Sequence, residues 1–508
     1  MPSPTPKPVS PAALRTTILN QLTQDPDLPQ PVPTKSLWQV PGNSAVANAQ
    51  STNLPQYADY VIIGSGIAGV SVARTLLSHA ATGTKTVAVL EARTLCSGAT
   101  GRNGGQLTRL PPTRHAYMVE QFGLAEANKI MRLTVHGLRE MHAATEAHGD
   151  TFKAFTRVTR LEKFFAYFDQ QSWNETLAAL RYLEEQLPED HGAYQIVSKE
   201  EAESKYKLKG VCGGLKLSAG TVSPYNLVTG LFQKLLEKFP TRFTIDTNTA
   251  VTRIEYVADA DATQPYRLHT PRGVVHAANI IHCTNGYAGH LVPGLRGKLY
   301  PRRGTMSVQN PGARFPDMSA KQSWSFYFTP SYNAATGAVE TGRYYGYHHK
   351  DTGDLWVGGD RDAIDGFITS DDSAVDGHAD ASLRQLVPKL FSDKWVDPQQ
   401  HAVRAIWSGI MCYTADQLPL VGRLPSSETG RAGTGEWIAA GWNTYGMTNG
   451  LVCGDALGKM MLGEDVSCWF PASYLPTDER LNSETFKLRS VVDSYFDRIG
   501  AKKYLLKL

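Results

Sequence analysis

The clearest pattern of apolar and polar positions lies in "DYVIIGSGIAGVSVARTLL", from Asp59 to Leu77. Its first apolar residues are consecutive rather than alternating and stop sharply at a glycine, which is typical of a buried parallel strand. The next apolar residues recur at helical spacing and predict a helix packed on one side; they are Ile67, Val70, Val72, Ala73 and Leu76. The stretch therefore predicts a strand, a tight turn and a helix in immediate succession.

Three glycines in this stretch, Gly64, Gly66 and Gly69, follow the spacing GxGxxG. The first allows the tight turn, the second lets a diphosphate approach the main chain, and the third lets the helix pack against the strand. A second apolar strand, "KTVAVLEA", ends at Glu91, which lies 22 residues beyond Gly69. A dinucleotide-binding unit places an acidic residue there for the ribose hydroxyls. The combination predicts a dinucleotide site; the alternative is an ordinary strand and helix turn without a nucleotide.

Patterns of the same two kinds continue along the chain in separated pieces. Helical spacing extends from Leu124 to Gly149, through "QQSWNETLAALRYLEEQL", and through "SPYNLVTGLFQKLLEKF", which opens on Ser223 and Pro224. Short β-rich runs such as "LEKFFAYF", "GVCGGLKLS" and "SWSFYFTP" predict a mainly antiparallel sheet. Strands and a glycine-rich helix start return in "TAVTRIEYV", "GVVHAANIIHCTNGY" and "GEWIAAGWNTYGMTNGLVCGDALGKMML".

This alternation predicts an α/β protein with a discontinuous Rossmann-like nucleotide-binding domain and a second α+β substrate domain on a mainly antiparallel sheet. The predicted boundaries begin with an N-terminal arm over 1–55 and end with a C-terminal extension over 466–508. Between them, 56–122, 220–298 and 402–465 form the nucleotide-binding domain, and 123–219 and 299–401 form the substrate domain. A chain of 508 residues is long enough for two joined cores.

Composition and charge narrow the classes of function. The chain has 51 basic and 48 acidic residues, a formal charge of +3, and no basic block that would favour nucleic acid. No apolar stretch approaches the roughly 20 residues that span a bilayer. The proline-rich start "MPSPTPKPVSPAALRTT" lacks the apolar centre of a secretory signal, so we expect a cytoplasmic protein. The final "LLKL" resembles a peroxisomal "SKL" only loosely, which makes the peroxisome the second expectation.

The six cysteines show no CxxC spacing, which argues against a disulfide framework and against a metal site.

Five motifs in order, between about Leu28 and Gly463, resemble a known family. They are "GSGIAG" with Glu91, "SGATGRNGGQL", "IIHCTNGYAGHLVPGL", "DQLPLVGRLP" and "AAGWNTYGMTNG". The family is that of the FAD-dependent amine and amino-acid oxidases of the D-amino-acid oxidase and sarcosine oxidase group, and the likeness is greatest to fungal members and to gamma-glutamylputrescine oxidase. The resemblance implies FAD in the nucleotide-binding domain, a small-molecule amine as substrate, and oxygen as partner.

The reaction that the resemblance implies is oxidation of a C–N bond by hydride transfer to flavin, which gives an imine and, with oxygen, hydrogen peroxide. One alternative is a flavin dehydrogenase that uses another electron acceptor. A second is a non-catalytic nucleotide-binding protein. NAD binding is disfavoured, because "SGATGRNGG" and the distant glycine-rich segment would then contact no part of the ligand.

The motifs also imply individual site residues. The predicted cofactor-binding residues are Gly64, Gly66, Ile67, Ala68, Gly69, Glu91, Ala92, Arg93, Gly98, Ala99, Thr100, Arg102, Asn103, Gly104, Gly105, Gln106, Leu107, Val251, Thr284, Gly286, Asn443, Thr444, Tyr445, Gly446, Met447 and Thr448. The candidates for contact with the reacting groups are Arg102, Tyr445 and Thr448; a surface loop arginine is the alternative for Arg102. Tyr445 replaces a family histidine and Thr448 a carboxylate-binding lysine, so an amine without a nearby carboxylate becomes plausible as substrate.

Two further features leave alternatives open. Cys412 lies near the point where some relatives link flavin to cysteine, although alignment of the following "YT" places Met411 there; a buried structural thiol is the alternative. The aromatic strands "SFYFTP" and "TGRYYGYHHKDTGDLWVGG" either line a cage for a cationic amine or form a packed sheet core. His348 and His349 are adjacent, so on a strand they face opposite sides.

Overall fold

The computed structural model of the chain describes residues 11–258, 263–397 and 399–501. The first ten residues of the predicted arm and the terminal "LLKL" lie outside the described residues. Within the described ranges, no helix combines the length and the apolar composition that crossing a membrane requires.

The first sheet has eight strands around a parallel centre. Its strands are β1 (Tyr57–Ile63), β2 (Val87–Leu90), β7 (Phe243–Asp246), β8 (Arg253–Tyr256), β9 (Tyr266–Thr270), β10 (Gly273–His282), β17 (Leu420–Arg423) and β18 (Glu436–Ala440). The order is β17-β18-β10-β1-β2-β7, with β8 and β9 attached to β10 as an antiparallel extension. Ile63 pairs with Leu90 and with His282, so the carboxyl ends of three parallel strands meet at one edge.

The second sheet has ten strands and is antiparallel except where β4 meets β12. Its strands are β3 (Gln106–Leu107), β4 (Thr159–Tyr167), β5 (Gln195–Val197), β6 (Gly213–Thr221), β11 (Leu299–Asn310), β12 (Gln322–Tyr327), β13 (Ser331–Asn333), β14 (Ala338–His348), β15 (Leu355–Ala363) and β16 (Ala402–Thr414). The order is β16-β11-β15-β14-β12-β4-β6-β3. Two sheets of these kinds confirm the predicted fold class.

The long helices follow the predicted apolar stripes. The helices are α1 (Pro11–Thr23), α2 (Ile67–Ser78), α3 (Pro112–Phe122), α4 (Leu124–Glu146), α5 (Gly149–Thr156), α6 (Gln170–Gln186), α7 (Lys199–Lys205), α8 (Pro224–Lys238), α9 (Ala288–Leu291), α10 (Ile364–Phe367), α11 (Gly377–Leu390), α12 (Ser426–Thr429), α13 (Gly446–Met461), α14 (Asp478–Leu481) and α15 (Leu488–Arg498). Helix α8 begins as predicted, since Ser223 accepts a hydrogen bond from the amide of Asn226.

Helices α2 and α13 pack against each other through small residues. A Cβ at Gly450 would lie 2.6 Å from Ile67, one at Gly454 2.5 Å from Ser71, and one at Gly458 2.8 Å from Thr75. These three glycines repeat every four residues and therefore share one face of α13. Their lack of side chains brings the starts of both helices to the same edge of the first sheet.

Strand pairing crosses one predicted boundary. β16 begins at Ala402, where the sequence placed the start of a nucleotide-binding segment, yet β16 pairs with β11 of the second sheet along its length. The sequence-based division followed motifs, whereas a strand is assigned to a sheet by its hydrogen-bond partners. The domain boundaries themselves stay a prediction.

The arm and the C-terminal extension pack together on the body of the protein. Leu14, Ile18 and Leu22 of α1 are buried in one apolar cluster with Val491 and Phe496 of α15. Beyond α1 the arm continues without regular strands as far as β1.

Candidate functional site

A deep cavity lies between the carboxyl ends of β1, β2 and β10 and one face of the second sheet. Every predicted site residue lines it except Gly69, Leu107 and Asn443. Segments that are separated by more than 300 positions in the sequence therefore meet around one space, as in a ligand crevice at the carboxyl edge of a parallel sheet.

The glycine-rich turn is shaped by close main-chain contacts. Gly64 has φ +103°, and a Cβ there would lie 2.7 Å from the carbonyl oxygen of Cys283. A Cβ at Gly66 would lie 3.1 Å from Thr100 Oγ1 at the cavity wall. Gly69 lies behind the turn, where a Cβ would be 2.2 Å from the carbonyl oxygen of Gly64. The turn needs glycine for its conformation, for approach to the cavity and for packing of α2, respectively.

Glu91 braces the same turn. One carboxylate oxygen accepts hydrogen bonds from Ser65 N at 3.0 Å and Ser65 Oγ at 2.6 Å, and the other accepts one from Arg93 N at 2.9 Å. A carboxylate oxygen has two lone pairs, so the oxygen bonded to Arg93 keeps room for a further donor. Glu91 lines the cavity and is placed to accept from a ribose hydroxyl.

Arg102 contacts the cavity, but its guanidinium is bound inside the protein. It donates to the carbonyl oxygens of Thr34 at 2.7 Å, Ser408 at 3.0 Å and Ser97 at 3.1 Å, and it lies 3.3 Å from Asp372 Oδ2. Burial lowers the pKa of Arg102 to about 10, so the group is still charged at neutral pH. This geometry favours a structural role for Arg102 over contact with the reacting groups.

The start of α13 presents main chain to the cavity. Asn443 and Thr444, just before the helix, have φ values of +47° and +77°, and the latter is unusual for a β-branched residue. The side chain of Asn443 supports the turn by donating to Thr414 Oγ1 at 3.0 Å. The N-cap residue Tyr445 makes no side-chain cap, so the first amides of α13 are free to meet a ligand.

Thr448 is buried, and its hydroxyl donates to the carbonyl oxygen of Thr108 at 3.2 Å. That bond favours a packing role for Thr448 near the cavity. Tyr445 is only half-buried and lines the cavity, as does Arg343. Of the three candidates for contact with the reacting groups, Tyr445 is therefore the best placed.

The cavity suits the FAD that the resemblance implies. Thr284 Oγ1 and Gln106 Nε2 are buried, line the cavity and have no hydrogen-bond partner among the described residues. Helix α2 also starts at the cavity; its N-cap residue Gly66 has no side chain to cap it, and the amide of Ile67 donates to Thr100 Oγ1 at 3.1 Å. Two helix starts at the cavity, a glycine turn and two unpaired polar atoms fit a diphosphate with a polar ring at its end.

Cys412 lies at the cavity wall but is embedded in apolar residues. Its side chain belongs to the cluster that includes Leu299 and Tyr300, and burial raises its pKa above the ordinary thiol value. The neighbouring Met411 reaches towards Gly304, where a Cβ would lie 2.7 Å from the Met411 methyl carbon. A thiol that resists ionisation is a poor nucleophile, so the geometry favours the structural alternative for Cys412. The covalent link stays a prediction that acid precipitation of the protein tests.

The second sheet supplies residues that the motifs did not indicate. Register places Phe165 beside Ser325 and Ser325 beside Tyr345, and these three residues line the cavity. Two residues further along β12, Tyr327 pairs with Arg343 of β14, and both side chains also line the cavity. The aromatic strands therefore contribute both to the cavity and to the packed core.

Arg343 lies at an irregularity in β14. The register with β15 shifts between Glu340 and Tyr344, and Gly342 has φ +74°. Bulges of this kind redirect a side chain and are common beside active sites. The side chain of Arg343 is exposed to the cavity, and it makes no hydrogen bond or ion pair with any residue that the structure describes. The only sequence signal was the "TGR" break before an aromatic run.

His348 is the last residue of β14 and His349 lies just beyond the strand, and the two rings contact different aromatic partners. The His348 ring meets Phe315 edge-on at 5.4 Å, and the His349 ring stacks on Trp356 at 5.2 Å. Burial lowers the pKa of His349 to about 4. Neither histidine lines the cavity, so both serve packing at this place.

Lys163 on β4 is buried at the cavity wall and forms no ion pair with an acidic residue in the part of the chain that the structure describes. It donates to Gln106 Oε1 and to the carbonyl oxygen of Trp324 at 3.3 Å. Burial lowers the pKa of Lys163 to about 7, far below the ordinary lysine value. In this setting the ammonium form costs stability.

We expect Lys163→Met to raise the melting temperature most at about pH 6 to 7. Between the lowered pKa of about 7 and the ordinary value near 10.4, the unfolded chain binds more protons than the folded protein. The contribution of Lys163 to the free energy of unfolding therefore rises as the pH increases from about 7 to about 10, and it is lowest below pH ~7. The variant removes a penalty of about 4 kcal/mol at neutral pH, and the gain shrinks towards pH ~10. Calorimetry over this range checks it, with Lys216→Met on β6 as the half-exposed control; an equal gain at all pH values would contradict it.

Comparison with known proteins agrees with this site. Residues 59–460 match the model of the family described as FAD dependent oxidoreductase. A search of curated proteins finds no match. The solved structure of glycine oxidase from Geobacillus kaustophilus is similar with a TM-score of 0.60 at 18% identity, covering 83% of this chain and 99% of that one. L-proline dehydrogenase from P. horikoshii (TM-score 0.60, 17% identity, 83% and 98% covered) and L-amino acid deaminase from Proteus vulgaris (0.60, 14%, 85% and 100%) are also similar. With four fifths of its length matched by that model, the chain belongs to the family of FAD-dependent oxidoreductases.

Proposed function

We propose that this FAD-dependent oxidoreductase oxidises the C–N bond of an amino-acid-like substrate that carries an anionic group, and that Arg343 binds that group. The unpaired guanidinium of Arg343 in the cavity is the observation that carries the proposal. A guanidinium is charged at every physiological pH and matches a carboxylate with two parallel hydrogen bonds.

The charges around the cavity support an anionic group rather than a purely cationic amine. The acidic residues that line the cavity are Asp27 of the arm and Glu91 of the nucleotide turn. Among the residues whose side chains the structure describes, the face formed by the second sheet contributes Arg343 and Lys163 to the lining and no carboxylate. A cationic amine without a carboxylate would meet uncompensated positive charge there, which disfavours the aromatic cage for a cation.

The same charges select the protonation state of the substrate amine. Since no described side chain of this face is a carboxylate, an ammonium group would lose its water and gain no ion pair there, so the neutral amine is favoured. When bound, FAD supplies the acceptor for a hydride from the carbon beside the nitrogen. Arg343 would hold the anionic group, and Tyr327, Tyr345 and Tyr445 would enclose the reacting carbon and exclude water.

Two classes of substrate agree with an anionic group bound by Arg343. An α-amino acid fits the proposal, and so does an amine with a more distant carboxylate, such as the γ-glutamyl amine that the likeness to gamma-glutamylputrescine oxidase implies. The likeness to fungal members belongs to this proposal as well.

Oxygen is the proposed electron acceptor, with hydrogen peroxide as the second product; a dehydrogenase with another acceptor is the alternative. We propose the cytoplasm as its location, with the peroxisome second.

An anaerobic screen of amines tests the proposal. Amino acids and their amides are added in matched pairs to the purified, FAD-loaded protein, and the flavin absorbance near 450 nm is followed. We expect bleaching by a carboxylate-bearing amine and at least tenfold slower bleaching by its amide. Release of peroxide on admission of air separates oxidase from dehydrogenase. Bleaching by no amine would favour a non-catalytic nucleotide-binding protein.

A further inference from the structure

We propose that Asp372 locks the N-terminal arm over the cofactor loop, so that the arm acts as a strap that retains FAD. The family match begins at residue 59, and the arm over residues 11–55 lies outside it. The arm nevertheless supplies Asp27, Leu28 and Pro29 to the lining of the cavity. The arm is therefore part of the cofactor site and not only of the outer surface.

The carboxylate of Asp372 is buried between two buried arginines that line the cavity. Arg93 forms a two-pronged ion pair with it at 3.0 and 3.1 Å, and Arg102 lies 3.3 Å away. Burial works against the charge of Arg93, but the hydrogen bond and the charge of Asp372 outweigh it and raise the pKa of Arg93 above its ordinary value. Asp372 comes from the segment between α10 and α11, far in sequence from either arginine.

The same cluster binds the arm through Thr34. The amide and hydroxyl of Thr34 donate to the carbonyl oxygen of Asp372 at 2.8 and 2.9 Å. The carbonyl oxygen of Thr34 accepts from Arg102, and its hydroxyl accepts from the amide of Ser408 at 2.9 Å. Nearer the start of the arm, the carbonyl oxygen of Gln30 accepts from Arg93 at 3.1 Å. Removal of the Asp372 charge therefore acts through Arg93 and Arg102, which bind the carbonyl oxygens of Gln30 and Thr34, while the bonds of Thr34 to the main-chain carbonyl of Asp372 remain.

Beyond Thr34, the arm holds the cofactor loop itself. Ser36 Oγ donates to the carbonyl oxygen of Gly101 at 2.8 Å, and Trp38 Nε1 donates to that of Asn103 at 2.6 Å. The carbonyl oxygen between them, that of Arg102, accepts from Trp407 Nε1 at 2.9 Å. Three successive carbonyl groups thus have fixed partners, which sets the peptide planes of the loop. The arm must lift before this loop can reorganise to release the cofactor.

The rate of FAD release tests the proposal. The FAD-loaded protein is diluted, and the rise in fluorescence of free flavin is followed for Asp372→Asn and for Asp371→Asn. The control changes the same chemical group one residue earlier, where the carboxylate accepts from Ser373 and makes no hydrogen bond or ion pair with an arginine in the described chain. We expect release at least tenfold faster for Asp372→Asn and unchanged for Asp371→Asn. Asp372→Glu, which keeps the charge, should restore part of the slow release.

A second readout separates a strap from a merely structural carboxylate. If Asp372→Asn lowers the melting temperature of the FAD-free protein while FAD release stays slow, the proposal is overturned. Should this variant fail to fold, Trp38→Phe takes its place, because it keeps an aromatic side chain but lacks the N–H that donates to Asn103. Faster release from Trp38→Phe supports the strap, and unchanged release overturns it. These outcomes do not depend on the substrate, so they are independent of the amine screen.

Discussion

Arg343→Met is expected to lower kcat/KM for a carboxylate-bearing amine by about 100- to 1,000-fold, which corresponds to ~3–4 kcal/mol. The reason is that Arg343 faces the cavity and has no hydrogen-bond or ion-pair partner among the described residues. The carboxylate of the substrate would therefore be its anionic partner. Arg343→Lys should recover only part of the loss, since an ammonium lacks the planar fork of a guanidinium. Steady-state kinetics with the substrate found in the amine screen measures the effect.

A comparison of substrates controls this prediction. The amide of the same substrate has no carboxylate, so its kcat/KM should change less than about fivefold in Arg343→Met. The FAD absorbance should be the same in both proteins, because Arg343 belongs to the second sheet and not to the nucleotide turn. An equal loss for acid and amide would show that Arg343 supports the structure of the cavity and does not bind the carboxylate.

Gly64→Ala is expected to abolish the binding of FAD, with an affinity loss of at least 100-fold, or ~3 kcal/mol. Gly64 has φ +103°, and the added Cβ would lie 2.7 Å from the carbonyl oxygen of Cys283 at the end of β10. Main chain cannot move aside there without separating β1 from β10, which carry the turn and Thr284. Titration of the FAD-free variant with FAD, followed by flavin fluorescence, measures the loss.

Gly83→Ala is the matched control for Gly64→Ala. Gly83 also has a positive φ, +51°, but nothing lies within 4 Å of the position of its Cβ. The control therefore carries the conformational cost alone, about 1 kcal/mol, and should keep FAD. If both variants bind FAD equally well, the close approach of Gly64 to Cys283 is not what shapes the cofactor turn.

The nucleotide half of the site was predictable because its signals are local. Gly64, Gly66 and Glu91 belong to one strand, helix and strand unit, in which each residue is fixed by the turn that contains it. The second half was not predictable in this way. Arg343 faces the cavity because of a shift in register between two strands, and register depends on partners that are distant in sequence.

Arg102 also shows that the sequence alone does not determine the contacts of a side chain. Its motif indicated a loop beside the cofactor, and Arg102 does line the cavity. Its guanidinium, however, is bound by Thr34, Ser97, Ser408 and Asp372, and three of these lie in segments that no local pattern connects to the motif. A motif specifies where the main chain lies, whereas the direction of a long side chain is decided by whichever partners the fold brings near.

By itself, the sequence determined the fold class and the turn that meets a dinucleotide, because apolar periodicity and glycine spacing act within a few residues of one another. That the dinucleotide is FAD was implied by the resemblance to a known family. Only the tertiary structure decided which side chains face the cavity, that the arm reaches it, and that one aspartate joins arm and loop. Those features depend on contacts between Thr34, Arg93 and Asp372, and such contacts form only when the whole chain has folded.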